Sequence, residues 1–307
     1  MNCLIRNTTV LTMNEQNEIL NDADVLVKDG IIAKVGRNIA YTGNAEVIDG
    51  QGKLLMPGLI NCHCHVPMTV LRSYADDMEL QTWLFNHIFP VEARLTEDDV
   101  YWGSMLGIME MLATGTTCFA DMYYFLDGIA SAVERSGIRA QLSRGQTCND
   151  PGPDFSENQA MKESIDFVKK WNGAAGGRIT AAMAPHAIYT CSAAYIKAIA
   201  ENAEKLGVPI HVHLDETLTE HQDCLKAHGK TPAAYLCELG LFDLKTIAAH
   251  CVWITDDDMD LLKEKDVSFI HCPASNLKLA SGIAPVLAAV SKGLNVCIGT
   301  DGASSNN

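Results

Sequence analysis

Positive charge is scarce in this chain: 23 lysines and arginines face 38 aspartates and glutamates, a formal net charge of −15. A phosphate-backbone partner needs a basic footprint, so nucleic acid is excluded as a partner. No stretch reaches the ~18 consecutive apolar residues of a membrane span, and Met1-Asn2-Cys3-Leu4-Ile5-Arg6-Asn7 lacks the apolar run of a signal peptide. A membrane partner is therefore not expected. The 11 cysteines never form a CxxC pair, and most sit in apolar runs, which suits reduced, buried thiols in a cytoplasmic protein. Low-complexity segments are missing, as is any repeat beyond a strand–helix rhythm. What remains is ordinary for a globular enzyme: 48% apolar and 20% charged residues in a chain of 307, long enough for one large domain and a small one.

Residues 1–57 read as a small β-rich domain. Asp24–Lys28 and Ile31–Val35 flank Asp29-Gly30, a two-residue hairpin signal. From residue 58 to 307 the pattern alternates strand, loop and amphipathic helix. Candidate strands are 58–65, 115–122, 138–145, 178–186, 208–215, 245–251, 267–272 and 294–301. Thr96 with Asp99, and Thr255 with Asp258, have capping-box spacing; Ser192 opens a helix that stops at Gly207. Eight strands alternating with helices predict an α/β fold, a (β/α)8 TIM-type barrel. An open doubly wound sheet is the alternative, weakened because no glycine-rich phosphate loop follows the first strand.

Candidate chemistry clusters at the predicted strand ends, where such a barrel keeps its active site. Alternate strand residues share a face, so His63 and His65 aim at one spot while Cys62 and Cys64 point away. His186, His213, His250 and Asp301 end four further strands. A lone strand-end histidine is more often structural, but five of eight strands ending this way point to a metal site. His211 shares the parity of His213 one layer deeper and reads as a core histidine. His271 is open between support and structure. Glu216 lies just past a strand end, where a carboxylate can reach a substrate.

The segments Pro57-Gly58-Leu59-Ile60 followed by His63-Cys64-His65, then His213–Glu216, Ala249-His250-Cys251, Pro273–Leu279 and Gly299-Thr300-Asp301-Gly302 resemble the amidohydrolase superfamily. Within it they are most similar to the 5-methylthioadenosine/S-adenosylhomocysteine deaminase group. The resemblance covers nearly the whole chain. It implies one divalent metal ion, zinc with iron as an alternative, held by His63, His65, His213 and Asp301. It implies proton handling by Glu216, His250 and Asp301. Glu92 would hold ribose hydroxyls, His186 the purine ring, and Arg144 the substrate's 5′ side, with Met68 and Trp83 as apolar walls.

The implied activity is hydrolytic deamination of adenine nucleosides such as 5′-methylthioadenosine, S-adenosylhomocysteine or adenosine. Alternatives are another aminohydrolase or chlorohydrolase of the same fold, acting on guanine, a pterin or a triazine, and a non-catalytic barrel serving as a binding partner. Assembly into a homo-oligomer is compatible with the sequence. The strand 178–186 holds no lysine, so a bridged two-metal site is not expected. The H-x-E…P-C-x-x-C signature of the cytidine-type zinc deaminases is absent. Two departures stand out. No arginine follows Arg144 before Arg178, where relatives carry a second one, and the chain stops six residues after Asp301, where relatives run on. The expectation is a fragment whose barrel is truncated at its C-terminal end and whose β-rich domain is half of a composite sandwich.

Overall fold

Asp29 and Gly30 both adopt positive φ, 51° and 80°, the geometry that a two-residue hairpin of matching twist requires. They join β2 (Ile19–Lys28) to β3 (Ile31–Gly36) in antiparallel register. The computed structural model describes residues 2–152 and 154–306 and divides into two units, Met1–Leu59 and Ile60–Asn307. In the first, β1 (Cys3–Leu11) pairs with β2 on one side and with β4 (Glu46–Asp49) and β5 (Leu54–Leu55) on the other, giving the order β3-β2-β1-β4. Small apolar groups form two clusters, Leu4, Leu26 and Ile39 in one and Val10, Ala23 and Val25 in the other. Asp24, buried next to Ala23 and Val25, accepts from Arg6, Asn7 N and Ile39 N, which satisfies its carboxylate.

The second unit is built on β6 (Leu59–His65), β7 (Thr116–Tyr123), β8 (Arg139–Gln146), β9 (Ile179–Pro185), β10 (Ile210–Leu214), β11 (Thr246–His250) and β12 (Ser268–His271). Its last strand is interrupted into β13 (Val296–Ile298) and β14 (Asp301–Gly302). The order is β13-β12-β11-β10-β9-β8-β7-β6-β14. The two ends of this list are one chain segment, and that closes the ring. Gly299 N donates to His271 O on one side at 2.9 Å, and Thr300 N donates to His63 O on the other at 3.0 Å.

Helices connect successive strands, including Glu97–Ala113, Leu126–Ser136, Gln159–Trp171, Ala193–Leu206, Leu218–His228, Asp256–Glu264 and Val286–Lys292. Thr96 and Thr255 form complete capping boxes, and the helix opened by Ser192 ends at Gly207 with φ 66°. The strands between carry the core: Leu142, Ile179, Met183, Ile210, Val212 and Phe269 are fully buried.

Candidate active site

β6 carries inward residues at positions 61, 63 and 65. Asn61 forms the lower rung, donating to Thr300 Oγ1 at 2.7 Å and accepting from Thr300 N at 3.0 Å. His63 and His65 stand above it. Their Nε2 atoms lie 3.3 and 3.1 Å from Asp301 Oδ1. His213 and His250 close the arrangement from β10 and β11. His63, His65 and Asp301 form one potential metal-binding group and His63, His213 and His250 another, each with ligating atoms within 4.8 Å of one another. His63 belongs to both, so five side chains surround one point. Cys64 faces away, with its thiol against Ala120 O and Asp121.

The tautomers follow from the outer partners. His65 Nδ1 faces Met122 O at 2.5 Å, His213 Nδ1 faces His186 O at 2.8 Å, and His250 Nδ1 faces Asn276 Oδ1 at 2.9 Å. Each partner accepts hydrogen bonds only, so each Nδ1 carries a proton, and Nε2 is the nitrogen that offers a lone pair to the centre when the ring is neutral. His63 Nδ1 lies 2.8 Å from His211 Nε2, and His63 Nε2 and Asp301 Oδ1 are buried atoms without hydrogen-bond partners. Buried, unpartnered donors of this kind suit a cation at their common point. Asp301 Oδ2 is held by Ser275 and Ser305, which donate at 2.5 and 2.8 Å. Three His nitrogens with one carboxylate oxygen match a zinc or iron donor set, so the residues fit the metal.

Burial keeps most of these imidazoles neutral: it lowers His63 to about 4 and His186 to about 3, and lowers His213 and His211 as well. On His65 burial acts the same way, but the adjacent Asp301 carboxylate and the charge of Asp121 outweigh it and lift it to about 9. Burial resists ionisation of Asp301 too, but the imidazoles of His63 and His65 beside it prevail and hold its carboxyl well below the usual range. Burial raises Glu216, whose Oε1 accepts from Ser281 at 3.2 Å and whose Oε2 lies 3.7 Å from His250 Nε2.

Met68, Leu80, Trp83, Leu84 and Ile88, from the segment after β6, wall the cavity over this centre, which His186, Glu92, Glu216, His250 and Asp301 also line. Glu92 is buried, beside the hydroxyl of Tyr123, and burial raises it to about 7. Arg144 lies outside this cavity. It lines an adjoining chamber of about 600 Å³ together with Glu92 and Phe89, stacks over Tyr124 at 5.6 Å and pairs with Glu163 at 2.6 Å.

Sequence reasoning missed the supports: Asp121, Ser275, Asn276, Ser281 and Ser305. Asp121 Oδ1 takes Val66 N at 2.6 Å, pinning the backbone just past His65. Ser275 and Asn276 lie in a motif the sequence had singled out, but their roles carry no local signal. His211, read as a core histidine, is the partner of His63.

A closed (β/α)8 ring whose strand ends gather four histidines and a carboxylate is the framework of a metal-dependent hydrolase. The chain belongs to the amidohydrolase family, whose model matches residues 54–307. It is 50% identical over 306 residues to a 5-methylthioadenosine/S-adenosylhomocysteine deaminase of Carboxydothermus hydrogenoformans, covering 99% of this chain and 70% of that protein. It is 47% identical over 307 residues to the protein of the same name from Desulforamulus reducens, with 99% and 70% covered. Its structure is similar to that of a zinc-bound adenosine deaminase from Xanthomonas campestris, with a TM-score of 0.92 and 36% identity over 99% of this chain and 70% of that one. Among the described residues, no helix is long and apolar enough to cross a membrane.

Proposed function

We propose that the protein is a metal-dependent deaminase of adenine nucleosides, adding water at C6 and releasing ammonia to leave the inosine analogue. The observation that carries the nucleoside reading is Glu92, a carboxylate 8% exposed on the cavity wall with no lysine or arginine paired to it among the described residues. A buried carboxylate needs donors, and a ribose diol supplies two. A free base supplies none there. The names of the relatives support the same substrate class.

His63, His65, His213 and Asp301 would hold the metal, with His250 beside them. When bound, such an ion lowers the pKa of water to about 7 and so supplies a nucleophile at neutral pH. Asp301 takes the proton that the attacking water gives up, its carboxylate fixed by Ser275 and Ser305, which donate to Oδ2. His250, fixed by Asn276, orients the water. Glu216, whose pKa burial raises, delivers a proton to ring N1 and so readies C6 for attack. His186 Nε2 faces the ring because its Nδ1 is committed to Thr190 at 3.0 Å. Met68 and Trp83 exclude solvent around the base. The 11 free cysteines support a cytoplasmic setting.

The test is ammonia release from methylthioadenosine, S-adenosylhomocysteine, adenosine, adenine and guanine, compared as kcat/KM. Nucleosides are expected to lead, and a clear preference for adenine or guanine would overturn the reading. Arg144 is already paired with Glu163, so S-adenosylhomocysteine should gain no advantage over methylthioadenosine. Glu216→Gln should keep its metal and lose about 10²–10⁴-fold in kcat; turnover near wild type would remove Glu216 from the role given it.

A further inference from the structure

Helix Leu218–His228 opens with Thr217-Leu218-Thr219-Glu220, the spacing of a capping box. Half of the box is present, because Glu220 N donates to Thr217 Oγ1 at 3.1 Å. In the reciprocal half the glutamate would accept from the amide of Thr217. Here it reaches further back: Glu216 N donates to Glu220 Oε2 at 2.9 Å and Asp215 N donates to Oε1 at 3.2 Å. Glu220 is 3% exposed, so these bonds have little competition from water.

The two amides belong to the turn that presents Glu216. Asp215 has a φ of 50°, a left-handed conformation that a residue with a Cβ holds only under constraint. The same turn is tied on its carbonyl side, where Asp215 O accepts from Val252 N and Trp253 N at 3.0 Å each. His250, two residues before Val252, also has a positive φ, 74°. Glu216 and His250 therefore both leave their strands through strained turns tied together by one set of backbone bonds.

We propose that Glu220 is a positioning residue for the reaction: its carboxylate clamps the amides of residues 215 and 216 and thereby aims Glu216 at the substrate ring. The proposal rests on the role of Glu216 given above. Both Glu220 oxygens accept from backbone amides, which takes the ionised carboxylate, although burial and the neighbouring Asp215 raise its pKa to about 8. An amide has one acceptor, and its NH2 would confront the second backbone N–H. Aspartate keeps the charge but is one methylene too short to span both amides.

The experiment measures kcat, KM, metal content and thermal midpoint for Glu220→Gln, Glu220→Asp, Thr217→Ala and the double variant Glu216→Gln/Glu220→Gln. Both Glu220 variants are expected to keep one metal per chain and a KM within about twofold, while kcat falls about 10–100-fold, the size of an ångström-scale misplacement. Thr217→Ala removes the helix cap but leaves the clamp, so it should lower the midpoint and spare kcat. The double variant should be no slower than Glu216→Gln alone, because Glu220 acts through Glu216. The proposal is overturned if either Glu220 variant keeps wild-type kcat, if Thr217→Ala reproduces the kcat loss, or if the two losses multiply in the double variant. Full turnover in Glu216→Gln alone is a separate result, which removes the reading of Glu216 on which the proposal stands.

Discussion

The ring closes where Gly299 passes beside β6, and Gly299→Ala tests that closure. A methyl group there would stand 2.8 Å from His63 O, 2.9 Å from His63 Cβ and 3.0 Å from His63 N. Carbon contacts settle at ~3.5–4.0 Å, so one strand must yield by roughly half an ångström to one ångström. All three obstacles belong to the backbone or Cβ of His63, so no flexible side-chain end can swing aside. Neither strand is free to move: Gly299 N is bonded to His271 O at 2.9 Å and Thr300 N to His63 O at 3.0 Å. The backbone of Gly299 is not left-handed, so space alone is at issue. Overpacking of this kind destabilises by about 1–3 kcal/mol. The displacement also carries His63 away from the centre it shares with Asp301, and disturbing a ligand's supports lowers metal affinity about 10–100-fold. The assay is a thermal melt of the metal-free protein together with chelator competition on the loaded one. An unchanged melt and an unchanged affinity would refute the packing described at the seam.

The elements that position the site were legible because barrel strands are buried and bounded by turns. Seven of the eight expected strands lie within two residues of β6 to β12. The eighth, expected over 294–301, is broken at Gly299-Thr300, because consecutive amides there serve opposite neighbours. Strand parity placed His63, His65 and His213 inward, which is local information. The supports are not local: Asn276 reaches His250 across 26 positions and Ser281 reaches Glu216 across 65. A serine or asparagine in a loop looks the same whether it faces water or a buried carboxylate. Residues 66–92 escaped pattern reading for another reason. They fold as short helical turns, with a π-turn at Leu84–Ile88, too brief to show a period. Glu220 illustrates both limits: its capping-box spacing is visible, but the diversion of its side chain is not.

Removing the metal by chelation should abolish ammonia release and lower the melting temperature, since ligand at a thousandfold its Kd contributes about 4 kcal/mol. Elemental analysis should find about one ion per chain, and two tightly held ions would contradict the site. His211→Leu strips the acceptor from His63 Nδ1–H, which should destabilise by about 1–3 kcal/mol and weaken metal binding; unaltered affinity would make His211 mere filling. The last prediction concerns Glu92. In the folded protein burial holds its proton up to about pH 7, against 4.5 for the free group. Between those values the folded state binds more protons than the unfolded one, so this residue's contribution to stability falls as pH rises through that window. The full change is about 3 kcal/mol. Glu92→Gln has no such titration, so its melting temperature should gain on the wild type between pH 5 and pH 8, and a bound nucleoside diol, by pairing with the carboxylate, should narrow the gap. In the proposed role the ionised form is the one that would accept ribose hydroxyls, so kcat/KM for adenosine should drop as pH falls below about 7 in the wild type but not in Glu92→Gln. Parallel melting and activity profiles in the two proteins would show that Glu92 neither titrates in this range nor meets the sugar.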